Sequence, residues 1–230
     1  MLPVAILAGG LATRLRPITD RIPKALIKIN GEPFITHQLR LLRSRGIQRV
    51  VLCLGYLGEM VRQFVGDGHA FDLTVEYSFD GAVLRGTGGA IHQALPMLGS
   101  AFFVLYGDSW LPCDYARVEA AFLQSGKTGL MTVFRNDGQW DSSNVEFAGG
   151  RILAYDKKDC TPQMRYIDYG LGVFKRQAFD GLAAGSVSDL AALYQGLLAK
   201  GDLAALEIKE RFYEIGSAAG IEELSSHLKK

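Results

Sequence analysis

Short, continuous apolar runs alternate with amphipathic stretches through the first 135 residues. Residues 4–8 (VAILA), 49–55 (RVVLCLG), 73–78 (LTVEYS), 101–108 (AFFVLYGD) and 129–134 (GLMTVF) read as strands. Apolar runs with little polar alternation belong to strands covered on both faces. Between them, 33–45, 57–66, 86–98 and 114–126 carry apolar residues at helical spacing. Gly46 stops the first of these helices, and Asp114 is placed to cap the last. After Arg135 the pattern changes. NVEF, RILAYD and YIDYGLGVF are short β segments separated by turns, which predicts an antiparallel annex inserted into the sheet, and helices return near 188–200 and 217–228. The strand–helix alternation predicts an α/β fold with a mainly parallel central sheet and helices on both faces. No linker interrupts it, so a single domain over 1–230 is expected.

Composition narrows the function classes. The 230 residues carry a formal net charge of +1, so no global basic field points to nucleic acid. No apolar run reaches the roughly 18–20 residues of a membrane span. The N-terminal MLPVAILAGG lacks the basic region of a secretory signal, so a cytoplasmic protein is expected. Cys53, Cys113 and Cys160 are odd in number and far apart, which argues against a disulfide framework or a thiolate zinc site. The four histidines show no metal-ligand spacing.

Any cationic site must therefore be local, and the chain concentrates one near its start. In open α/β sheets ligands bind at the carboxyl ends of the strands. That rule selects the loop after the first strand, the turn at 86–89 and Asp108 together. Gly9 and Gly10 let the backbone bend and its N–H groups approach an anion. Thr13 adds a hydroxyl donor, Arg14 a planar fork and Lys24 a movable point charge. Pro17 and Pro23 stiffen the segment. The glycine pair alone is weak, because a strand followed by glycines and surface arginines is common. It forms neither a GxGxxG fingerprint nor a Walker A loop. Asp108, at a strand end, suits a divalent cation such as Mg²⁺ or a turn cap.

The whole string is more specific. LAGGLATRLRPITDRIPKAL resembles the signature G-G-x-G-T-R-L-x-P-x-T-x-x-x-P-K of sugar-1-phosphate nucleotidyltransferases. GTGGAI (86–91), YGDSW (106–110), YDKKD (155–159), IDYGLGVF (167–174) and FYEIGSAAGIEEL (212–224) are similar to later family segments, in the same order. The resemblance implies a Rossmann-like three-layer fold, with 1–135 the mainly nucleotide-binding half and 136–230 the mainly sugar-phosphate half. It implies transfer of a nucleotidyl group from a nucleoside triphosphate to a sugar 1-phosphate, with Mg²⁺, and leaves a homo-oligomer open.

By the same resemblance Arg14, Lys24 and Asp108 are catalytic. Leu7, Ala8, Gly9, Gly10, Leu11, Ala12, Thr13, Gly86, Thr87 and Gly88 bind the nucleotide. Asp108 and Glu214 hold the metal, and Asn144, Asp156, Lys157, Asp168 and Gly170 bind the sugar phosphate. Several positions depart from the family pattern. Ala12 replaces a glycine and is expected at negative φ. Leu84-Arg85 replaces Pro-Leu, with Arg85 expected to solvate. Asp168 replaces an asparagine, and Lys158 a proline. The layout is similar to compact heptose-1-phosphate guanylyltransferases and N-acetylmuramate-1-phosphate uridylyltransferases. A cytidylyltransferase acting on a phospho-alcohol and a non-catalytic nucleotide-sugar-binding homologue are the rival readings.

Overall fold

The computed structural model describes residues 1–229. Strand β1 (Val4–Leu7) leads through three single-turn 3-10 helices to a small hairpin, β2 (Lys28–Ile29) and β3 (Glu32–Pro33), and then to α1 (Phe34–Ser44). Next come β4 (Arg49–Leu54), α2 (Gly58–Val65), β5 (Thr74–Phe79), α3 (Gly86–Leu98) and β6 (Ala101–Tyr106). The short β7 (Ser109–Trp110), α4 (Tyr115–Ser125) and β8 (Gly129–Arg135) complete the first half. The second half brings β9 (Val145–Ala148), β10 (Arg151–Tyr155), β11 (Tyr166–Lys175), α5 (Leu190–Ala199) and β12 (Leu203–Ile208). The chain then forms β13 (Tyr213–Glu214) and α6 (Ala218–His227). No helix of the described residues is long and apolar enough to cross a membrane.

The apolar runs form the sheet for the expected reason. β1 sits between β4 and β6, parallel to both, and β4 pairs with β5 in parallel. Alternate residues of these strands face opposite layers. Val4, Ile6, Val50, Leu52, Phe103 and Leu105 pack on one side with α1, α2 and α4. Ala5, Val51, Cys53, Phe102 and Val104 pack on the other with α3 and α5. Asp114 caps α4 as expected, its carboxylate accepting from the Arg117 N–H at 3.1 Å.

The antiparallel segments enter the sheet as expected, and the segment 167–174 is the one that enters its centre. β11 runs antiparallel between β6 and β8, so β8 does not sit beside β6 and the parallel set β1, β4 and β5. Its run from Ile167 to Phe174 is almost wholly buried, as a central strand requires. The β9–β10 hairpin forms one edge of the same sheet, joined to β11 at Val145–Tyr166. One strand, β12, had no counterpart in the sequence reading. LAALEI is rich in helix formers, yet it pairs in parallel with β8 over six positions. Tertiary pairing overrides propensity there.

Candidate active site

The carboxyl ends of β1, β4, β5 and β6 surround a cavity of about 250 Å³. Leu7, Ala8, Gly9, Gly10, Ala12, Lys24, Gly86, Thr87 and Asp108 all line it. Residues from three distant segments thus meet at one edge of the sheet. The loop after β1 is shaped to meet an anion. The Ala8 N–H is taken by the Cys53 carbonyl at 2.9 Å, but among the described residues the N–H groups from Gly9 to Ala12 find no acceptor. Consecutive free donors of this kind form an anion-binding concavity. Leu11, Thr13 and Arg14 lie on its exposed side, outside the cavity lining.

Ala12 is the correction in this loop. Its φ of 49° is left-handed, not negative. The turn demands it, because the Ala12 carbonyl accepts from both the Leu15 N–H and the Thr19 hydroxyl, at 3.1 and 2.9 Å. An L residue pays roughly 1–2 kcal/mol there. Ala12→Gly relieves that strain and loses about 0.4–1 kcal/mol through the freer unfolded chain. The expected result is a melting temperature raised by about 2 °C in calorimetry.

Lys24 and Asp108 meet directly. The Lys24 Nζ donates to Asp108 Oδ2 at 2.9 Å, with side chains 22% and 32% exposed. Helix α1 mounts both partners. The Phe34 N–H holds the Ile27 carbonyl at 2.8 Å, just beyond the turn that carries Lys24. One turn on, the buried Gln38 Nε2 donates to the carbonyls of Tyr106 (3.3 Å) and Ser109 (2.8 Å), which flank Asp108. Sequence reasoning passed over Gln38. Its signal was a polar residue on the helix face shared with Phe34, Ile35 and Leu42, all of which are buried.

Glu214 reaches the same place from the far end of the chain. β13 pairs with β7, setting Glu214 opposite Ser109, and the Ile215 N–H donates to the Asp108 carbonyl at 2.9 Å. A small core of Ile29, Phe34, Trp110, Ile215 and Leu224 supports this pairing. Burial raises the Glu214 carboxyl above its ordinary value, and repulsion from Asp108 and Asp141 adds to that, while Lys24 and Arg14 pull it back. Both cations therefore act on this carboxylate. Asp108 and Glu214 supply hard oxygen donors and crowded negative charge, the chemistry that a small divalent cation relieves. The sign of the linkage follows. Between the ordinary and the raised pKa the folded chain holds more protons than the unfolded one, so stability falls as pH rises through that window. Glu214→Gln is expected to flatten this fall and to raise the melting temperature at neutral pH in the absence of metal. Thermal melts from pH 4 to 8 check it.

Asp80, at the end of β5, was also missed, although the strand-end rule that picked Asp108 applies to it equally. It is buried, lines the cavity and has its carboxyl raised by burial, which the Arg85 N–H and charge offset in part. Arg85 does not simply solvate. Its Nε donates to the Asp80 carbonyl at 3.0 Å and ties the loop together. Cys53 lines the cavity too, with its thiol pushed up to about 12 by burial and then by Asp80, so it is unreactive at neutral pH. The turn at 86–89 meets protein as well as cavity. The Gly88 N–H donates to the Ser188 carbonyl at 2.8 Å, and a Cβ on Gly88 would lie 3.0 Å from the Ser188 hydroxyl. The Thr87 hydroxyl accepts from the Leu190 N–H at 2.7 Å.

The annex residues gather around Asp168, whose side chain is 3% exposed. Its Oδ1 accepts from the Gly170 N–H at 3.1 Å, and its own N–H donates to Asn144 Oδ1 at 2.9 Å. A bulge in the β11–β8 ladder between Asp168 and Gly172 re-aims these groups. Lys157 Nζ lies 3.6 Å from Asp168 Oδ2 and donates to the Tyr106 hydroxyl at 3.1 Å. Asp156 instead turns its own loop, accepting from the Lys158 and Asp159 N–H groups at 2.7 and 3.0 Å. Those two bonds hold its carboxyl below the usual range.

The chain is 29% identical to an N-acetylmuramate alpha-1-phosphate uridylyltransferase of Neisseria meningitidis, over 95% of this chain and 94% of that one. It is 29% identical to a D-glycero-alpha-D-manno-heptose 1-phosphate guanylyltransferase of Campylobacter jejuni, over 77% of this chain and 78% of the relative. It spans about half, 52%, of a Synechocystis UTP–glucose-1-phosphate uridylyltransferase at 28% identity. Among solved structures, HddC from Yersinia pseudotuberculosis complexed with GMP-PN shares the fold, with a TM-score of 0.82, 24% identity and coverage of 99% and 100% of the two chains. A sequence profile of the nucleotidyl transferases matches residues 4–219, and the chain belongs to that family.

Proposed function

We propose that this chain transfers a nucleotidyl group from a nucleoside triphosphate to a sugar 1-phosphate, releasing pyrophosphate. The observation that carries the reading is the convergence of the Lys24–Asp108 pair and the unpaired N–H groups of the β1 loop at one cavity, with Glu214 brought beside Asp108 by the β13–β7 pairing. The triphosphate would lie along the Gly9–Ala12 donors, with Arg14 on the departing β- and γ-phosphates and Lys24 by the α-phosphate. An oxygen of the sugar phosphate forms a bond to the α-phosphorus, the bond to the bridging oxygen breaks, and pyrophosphate leaves with that electron pair. A phosphate dianion needs no general base to attack. The protein's task is to hold two anions together and to place charge where it grows. Asp108 and Glu214 would hold Mg²⁺, which spreads phosphate charge when bound. Lys157, with Asn144 and Gly170 near it, would receive the acceptor phosphate.

Asp80, which lines the cavity, would read the edge of the base. A carboxylate accepts two adjacent N–H groups, which guanine presents, whereas uracil presents one N–H between two carbonyls that a carboxylate repels. GTP is therefore the expected donor. Asp80→Asn is expected to lower the GTP-to-UTP ratio of kcat/KM by roughly 10–100-fold, the worth of a hydrogen bond to a charged group.

The test of the whole reading is a matrix. GTP, UTP, dTTP, CTP and ATP are each incubated with glucose, mannose, galactose, N-acetylglucosamine, N-acetylmuramate and heptose 1-phosphates and Mg²⁺, and pyrophosphate is measured. Turnover with one row or column is expected. Silence across the matrix, with tight nucleotide binding, would show a chain that binds without transferring.

A further inference from the structure

Tyr106 belongs to both halves of the site. It lines the nucleotide cavity at the end of β6, and its carbonyl accepts from Gln38 Nε2. Its hydroxyl accepts from Lys157 Nζ at 3.1 Å, and the same ammonium stands 4.8 Å from the ring centroid. On the other side of that ammonium is Asp168, itself fixed by the Gly170 N–H and by the Tyr155 hydroxyl, which donates to Oδ2 at 3.4 Å. Lys157 leaves β10 on a turn whose neighbours are exposed. A lysine there would ordinarily sweep many rotamers and lose that freedom on meeting a ligand. Here a phenol from the nucleotide half and a carboxylate from the annex hold it in advance.

We propose that Tyr106 is a positioning residue for the acceptor phosphate, acting through Lys157, so that the wall of the nucleotide cavity sets where the second substrate docks. This rests on Lys157 as the acceptor lysine in the proposed function. Tyr106 itself need not touch the acceptor. Its hydroxyl and ring fix the ammonium, and the buried Asp168 attracts that ammonium from 3.6 Å although the Lys157 side chain is 38% exposed.

The test uses the full chain and the sugar 1-phosphate that turns over fastest in the matrix above. Tyr106→Phe keeps the ring and removes the hydroxyl. The expected result is an acceptor KM raised about 5–10-fold, the scale of an ordinary hydrogen bond, because Tyr106 acts only through Lys157, with the nucleotide KM changed less than about twofold. In a Lys157→Ala background the same substitution should change the acceptor KM no further, because the two act as one unit. A rise in the nucleotide KM instead, no change in either KM, or an undiminished effect without Lys157 each overturns the proposal. If Lys157→Ala alone leaves the acceptor KM untouched, the acceptor-lysine assignment falls with it, while pyrophosphate release keeps the transferase reading intact. No turnover with any pair sinks both.

Discussion

Lys24→Ala is expected to lower kcat about 10²–10³-fold while raising the nucleotide KM only a few fold, because its charge matters most as the α-phosphate gains charge in the transition state. Stability should hardly move. The Lys24–Asp108 pair is partly open to solvent, and exposed pairs contribute about 0.2–1 kcal/mol, against roughly 2.7–4 kcal/mol for an aimed donor in a transition state. That mismatch is the signature to measure. Steady-state pyrophosphate release reads the first effect and calorimetry the second. Lys24→Arg should rescue little, since a planar guanidinium cannot occupy the compact position 2.9 Å from Asp108 Oδ2. A large loss of melting temperature with an intact kcat would mark Lys24 as a structural residue.

Asp108→Ala is expected to cost about 10³-fold in turnover, on the scale of the several kcal/mol that a metal contributes to phosphoryl chemistry. Two further signatures separate this from a packing defect. Removing Asp108 takes away one source of repulsion on Glu214, so the Glu214 carboxyl should relax toward its ordinary value. Manganese binding followed by electron paramagnetic resonance should weaken in parallel with the rate. The double variant with Lys24→Ala should lose far less than the product of the two single losses, because the pair acts as a unit. Full additivity would place the two residues in independent roles.

The legible part of this fold was local. β1, β4 and β6 could be read from apolar runs because strands buried on both faces need no polar alternation. The helices followed from their period and their caps, as Asp114 shows. The β1 loop was legible because its glycines, Arg14 and Lys24 carry their chemistry in residue type and order. β12 escaped because alanine and leucine favour a helix until a neighbouring strand decides otherwise. Ala12 escaped because its backbone angle is set by what its carbonyl must accept, which residue type alone does not encode.

The sequence by itself determined which groups are available: a glycine-bent loop of donors, two cations behind it, and carboxylates at strand ends. Only the tertiary structure decided which of them meet. Lys24 and Asp108 lie 84 positions apart, and Gln38 clamps carbonyls 68 and 71 positions away. The insertion of β11 between β6 and β8 brings Asp168 and Lys157 to Tyr106. The reason is physical. Periodicity and residue chemistry are properties of neighbours along the chain, whereas a buried charge or amide is stable only beside the partner that folding delivers to it.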